Sequence, residues 1–187
     1  GVLTHDPGMY PKRLILDDAR GLGIAILGLD VNRSGTTYAA ERVADDAYGI
    51  RLSLADVKGM SEAEMERIVE RRPYSSLADF WHRAAVSQPV AERLVLAGAF
   101  DSVHGIPAES VSVRRRGRVT RRDLLLQVAD LARGGPRRTR AESDVEQLTF
   151  ESLAGDAPPP VTGLPELGPA DRVRTELEIL GLDVSHH

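Results

Sequence analysis

Residue types suited to holding a phosphate gather in one stretch, Leu54 to Arg72, which reads LADVKGMSEAEMERIVERR. Gly59 supplies a chain reversal that a residue carrying a Cβ resists, and Ser61 opens the helix that follows. Ser61 and Glu64 stand in capping-box relation, the hydroxyl accepting from the Glu64 amide while the carboxylate reaches back, and Met60 precedes them as a hydrophobic staple. Backbone amides left unpaired at such a helix start lie beside a partial positive charge and suit an anion. Lys58, Gly59, Met60, Ser61, Glu64 and Arg67 are therefore the candidate phosphate-facing set. Contacts of this kind grip a nucleic-acid backbone and carry little sequence information. The same spacing also fits a plain helical turn with a good cap.

The elements that position this turn are two short helices, a first one ending at Lys58 and a second from Ser61 onward, which make a helix-hairpin-helix. A looser copy follows: SLADFWHRA as a helix, VSQ as a turn, and PVAERLVLAGAF as a helix with Pro89 at its first position. Shared apolar positions, Ile68, Val69, Leu77, Phe80, Leu94, Val95, Leu96 and Phe100, would pack the four helices together. Phe80 and Trp81 read as core residues.

Ahead of this module, LILDDARGLG has helical spacing. IAILGL (24–29), Thr37 to Val43 and Tyr48 to Leu54 read as strands, giving a small mixed α/β unit. Beyond it, RRDLLLQVADLAR is a helix with Leu124, Leu125, Val128 and Leu131 on one face. Five prolines between Gly155 and Pro169 mark a semi-rigid linker. A last helix runs from Ala170 to Leu180 and stops at Gly181. The expected fold class is mainly α. A small α/β unit (1–52) is followed by a tandem helix-hairpin-helix module with an Arg-rich insertion (53–133), a largely flexible linker (134–169) and a C-terminal helix (170–187).

The formal net charge of the 187-residue chain is −4, but its distribution is uneven. Ten arginines between Arg114 and Arg140 face only Asp123 and Asp130, so that stretch carries +8 and the remainder −12. Such a segment suits a polyanion or a solvated basic loop. Arg114, Arg115, Arg116, Arg118, Arg121 and Arg122 join the candidate nucleic-acid contacts on charge alone. The chain has no cysteine, which excludes a disulfide framework and a thiolate zinc site. No apolar run approaches the roughly 20 residues of a membrane span. The histidines show no ligand spacing, and Asp17 with Asp18, adjacent on a helix, point in different directions. No catalytic or metal site is expected.

The run VKGMSEAEMERIVERRPYSSLADFWHRAAVSQPVAERLVLAGAFDS resembles the tandem helix-hairpin-helix region of bacterial C-family DNA polymerases, the DNA polymerase III alpha subunits. YPKRLILDDARGLGIAILGLDVNRS is similar to the end of their fingers domain, and ELEILGLDVSHH to the segment before their OB-fold. The start and tail look more like the accessory, error-prone type. The resemblance implies a fragment of a DNA-directed DNA polymerase of the bacterial cytoplasm, with double-stranded primer-template DNA as partner. Such a fragment is expected to be monomeric and, lacking the palm whose carboxylates hold Mg, inactive alone. It departs from the family at Gly59–Met60–Ser61, where many members carry glycine at both ends of the turn. Members also carry an internal sliding-clamp peptide, and Gln147, Leu148 and Phe150 occupy its place, with Glu151 where a second large apolar residue is usual. A protein-interaction module recruiting the clamp, its hairpin only structural, is the alternative reading.

Overall fold

A computed structural model of the chain describes residues 12–44, 47–107, 118–134, 159–182 and 184. Helix α1 (Lys12–Gly21) leads into strands β1 (Ala25–Leu27), β2 (Ala39–Ala44) and β3 (Ala47–Arg51). The sheet has β3 at its centre, parallel to β1 with Ile26 opposite Ile50 and antiparallel to β2 with Ala40 opposite Ile50. All three expected strands are present with shifted ends. The third stops at Arg51: the Leu52 amide still donates to Leu27, but the Leu54 amide turns to the Gly35 carbonyl and Ser53 caps a helical turn.

One turn of 3-10 helix (Leu54–Asp56) comes next, where a fuller first helix of the hairpin was expected. Its brevity has a local cause. Ser53 caps it by accepting from the Ala55 amide, and Leu54 and Val57 are both drawn inward, so the chain bends before a second turn can form. Helices α2 (Glu62–Glu70), α3 (Leu77–Ala84), α4 (Gln88–Leu96), α5 (Asp101–His104), α6 (Arg121–Arg133) and α7 (Pro169–Leu180) follow. The chain is thus mainly helical, with one small sheet among the described residues.

Helix α6 packs on α3 and α4, and α7 also contacts α4. A single apolar core runs from Leu16 of α1 through Val31, Leu52, Ile68, Phe80, Leu94 and Phe100 to Leu124 of α6 and Ile179 of α7. Tyr74, Phe80 and Phe100 meet edge to face at its centre, with successive ring centroids 5.0 Å apart, a geometry aromatic pairs favour. Val69 does not join it. One residue on from fully buried Ile68, it is turned about 100° around the helix and is 36% exposed.

The core crosses residue 52, and polar contacts tie the sheet unit to the helices. Asn32 and the Tyr74 backbone exchange two hydrogen bonds of 2.9 and 2.8 Å. Arg72 donates to Val31 at 2.8 Å and also to the Ser34 carbonyl. The proline-rich stretch at 159–168 has no regular element, yet it lies against α6. The Asp123 carboxylate is fully buried, taking hydrogen bonds from Thr120 of its own capping box and from the Thr162 amide at 3.1 Å. Glu166 in turn accepts from the Arg121 amide at 2.9 Å.

Candidate nucleic-acid interface

The turn between the 3-10 helix and α2 places Gly59 at φ +78°, in the left-handed region that favours glycine. Ser61 caps α2, its hydroxyl accepting from the Glu64 amide at 3.3 Å. The Glu64 carboxylate returns the contact, accepting from the Ser61 amide at 3.0 Å and from its hydroxyl at 2.8 Å. Glu64 also does more than the local pattern requires. Its other oxygen accepts from the Ser87 amide at 2.9 Å, which ties the first hairpin to the second. Burial alone would raise its pKa, but the hydrogen bonds from Ser61 and Ser87 outweigh that and hold the carboxyl below its ordinary value.

The capping box consumes the Ser61 and Glu64 amides. The amides of Gly59, Glu62 and Ala63 find no acceptor among the described residues, and all three residues are exposed. These are the donors an anion can reach, at the end of α2 that carries partial positive charge. Glu62, exposed in that same first turn, opposes an anion there.

Three tertiary hydrogen bonds hold the turn. The Lys58 amide donates to Ile179 at 3.2 Å and its ammonium to Glu178, both carbonyls in the last turn of α7. The Lys58 carbonyl accepts from Arg93 of α4 at 2.8 Å. Lys58 itself stays exposed. Met60 is half-buried against the core, as a staple would be. Arg67 spends its guanidinium on the Ala84 and Ala85 carbonyls, each at 3.1 Å, so it caps the end of α3.

The other expected contacts divide. Arg121 is only 4% exposed, paired with Asp101 at 2.6 Å and donating to the Leu96 carbonyl at 2.8 Å. The structure therefore corrects its placement among the surface cations, since a guanidinium enclosed in this way cannot reach a phosphate. Glu64 leaves the candidate set for a related reason, being 9% exposed with both oxygens occupied. Arg118 is exposed and Arg122 half-buried. Arg114, Arg115 and Arg116, together with Gln147, Leu148 and Phe150, lie outside the described residues.

The second hairpin offers less to an anion. Ala85 takes the left-handed conformation at φ 49° where a glycine would be easier. The Ser87 amide is taken by Glu64, and Pro89 has no N–H to give. A further glycine turn, Gly98 at φ +82° between α4 and α5, escaped the reading of the sequence. Its signal was present in the run Ala97–Gly98–Ala99, between two helical stretches. Among the described residues no three His, Asp or Glu side chains form a group able to hold a metal ion. No described helix is long and apolar enough to cross a membrane.

A glycine turn, a boxed helix start behind it and a paired second hairpin define a helix-hairpin-helix module. Residues 23–109 match the family described as the helix-hairpin-helix motif. Over 96% of its length the chain is 29% identical to an error-prone DNA polymerase of Symbiobacterium thermophilum. It is 30% identical, over its full length, to an error-prone DNA polymerase of Anaeromyxobacter dehalogenans. Over 92% of its length it is 31% identical to the DNA polymerase III subunit alpha of Chlamydia trachomatis. The resemblance to bacterial C-family DNA polymerases thus holds along nearly the whole chain. The chain spans 18%, 15% and 13% of the length of these three relatives, respectively.

Proposed function

We propose that this chain holds double-stranded DNA by its sugar-phosphate backbone, without reading base sequence, as part of a C-family DNA-directed DNA polymerase of the bacterial cytoplasm. The observation that carries the reading is the exposed set of amides at Gly59, Glu62 and Ala63, which find no acceptor among the described residues, with the exposed Lys58 next to Gly59 in the chain. A phosphate oxygen accepting from these amides would be neutralised in part by the helix end and in part by Lys58. Because every nucleotide presents the same phosphate, such contacts position a duplex and leave its sequence unread. A primer-template duplex is the substrate such a grip would serve in a polymerase. Nucleotidyl transfer, with the Mg ions it uses, requires a carboxylate cluster that the described residues do not bring together. No step of that chemistry is assigned to them.

The test is a fluorescence-anisotropy titration of two labelled duplexes of unrelated sequence, at low and raised salt. The expected result is the same affinity for both, falling as salt rises because each neutralised phosphate releases counterions. Lys58→Glu, with its fold checked by circular dichroism, should weaken binding to both duplexes alike. Undetectable binding at low salt, or binding indifferent to Lys58→Glu, would overturn the reading.

A further inference from the structure

We propose that Arg93, a residue of the second hairpin's helix, is the positioning residue of the first hairpin's phosphate-facing turn. The inference rests on the duplex-binding reading above and assigns a residue to that same site. Arg93 stands 35 residues from Lys58 in the chain, and its Nη1 donates to the Lys58 carbonyl at 2.8 Å. Its guanidinium lies directly over Gly59. A Cβ built there would fall 2.4 Å from Nη1, 3.5 Å from Cζ and 3.9 Å from Nη2.

Two consequences follow from this placement. The Lys58 carbonyl is held by α4 while the Lys58 amide is held by Ile179 of α7 at 3.2 Å, so the residue before Gly59 is fixed from both sides. The free amides beyond Gly59 thereby keep one orientation and need not be ordered when a phosphate arrives, which lowers the entropic cost of binding. The second consequence is electrostatic. An uncovered carbonyl oxygen at the turn would repel an incoming anion, and the Arg93 N–H occupies it. Arg93 acts through the turn, because its nearest donor is spent on the protein's own main chain.

The experiment compares Arg93→Gln and Arg93→Lys in the 187-residue chain, titrating a labelled duplex across a salt series. Loss of a fixed turn should weaken binding in both variants, by about five-fold if one net hydrogen bond is at stake. The slope of log K against log salt should stay at the wild-type value, since no phosphate contact has been removed. Amide hydrogen exchange adds a local readout: protection of the Lys58 and Met60 amides should fall in both variants. Should Arg93→Lys bind like the wild type while Arg93→Gln loses about one unit of slope, Arg93 touches phosphate directly and the positioning role is wrong. Unchanged affinity in both variants also overturns it. A wild-type chain that binds no duplex at low salt instead sinks the functional reading, and this inference with it.

Discussion

The Glu64 carboxylate closes two helix starts at once, one oxygen accepting from Ser61 at 3.0 and 2.8 Å and the other from the Ser87 amide at 2.9 Å. A residue whose local role is to cap α2 thereby also holds the chain entering α4. Arg93 runs the opposite way, from α4 to the turn before α2. The two hairpins are cross-linked by the Glu64 carboxylate and by the Arg67 and Arg93 guanidinium groups, and the turn facing solvent is held by Glu64 and Arg93.

Glu64→Ala should therefore cost more than loss of an ordinary cap. Hydrogen bonds to a charged acceptor are lost at two places, for a combined effect of about 2 to 3 kcal/mol. Glu64→Gln keeps one carbonyl acceptor and should cost about half as much. Urea denaturation checks this, with a lowered midpoint at unchanged slope. A Glu64→Ala cost at or below about 1 kcal/mol, the size of a simple cap, would show that the Ser87 contact contributes nothing.

Acid should destabilise the chain through the same kind of group. In Asp123 as in Glu64, burial pushes the pKa up, but hydrogen bonds, here from Thr162 and Thr120, outweigh it and leave the carboxyl below its ordinary value. A carboxyl depressed in the fold takes up its proton more readily once unfolded. Its contribution is complete above the unfolded pKa, near 4, and is lost as pH falls through the folded one. His104, whose pKa burial lowers, adds to the trend below about 6.5. Asp101, raised by burial, opposes it. Urea midpoints should hold level near neutrality, slip as pH falls below about 6.5, and fall steeply below about 4. Asp123→Asn should flatten the last limb, and an unaltered limb would remove Asp123 as its cause.

Two cations close in appearance in the sequence should behave differently. Arg121→Met leaves the partly buried Asp101 without its partner and should cost about 2 to 3 kcal/mol of stability. Below its melting range the variant should keep the wild-type salt slope for duplex binding. Lys58→Ala should do the reverse, with little change in stability and a slope lower by about 0.9. Glu62→Gln, which removes the opposing charge from the first turn of α2, should tighten binding. If Arg121→Met lowers the slope as Lys58→Ala does, its burial does not keep it from DNA.

What the sequence disclosed and withheld divides along chain separation. The Ser61–Glu64 box is a local pattern, and the structure forms it; the Thr120–Asp123 box, equally local, went unread. The span of α6 and the stop of α7 at Gly181 were readable for the same reason. Local spacing cannot say that Glu64 meets Ser87, that Arg93 meets Lys58, or that Lys58 meets Ile179. It also cannot separate Arg121 from Arg122. Adjacent arginines at a helix start look alike until Asp101, twenty residues earlier, is folded against one of them. Val69 failed for a related reason, since on a helix of nine residues one step in phase decides burial.

The two glycine turns offer a final and more demanding comparison. Gly59 and Gly98 both sit at positive φ, +78° and +82°, and a Cβ at either would come within 2.4 Å of an arginine nitrogen. Alanine at each site therefore carries the same left-handed strain, about 1 to 2 kcal/mol. The arginines differ in their freedom to move. Arg93 is partly exposed and can swing aside at the cost of one hydrogen bond, whereas Arg121 is buried, and a Cβ on Gly98 would also meet the Asp101 carboxylate at 3.0 Å. Gly98→Ala should therefore be the costlier change, by about 2 kcal/mol, the scale of disrupting a buried pair. A double-mutant cycle sharpens the point. In an Arg93→Gln background the guanidinium no longer lies over Gly59, so Gly59→Ala should cost only the backbone strain, a coupling of about 1 kcal/mol between contacting residues. Equal costs at the two glycines, or strict additivity at Gly59 and Arg93, would mean that neither arginine constrains its turn.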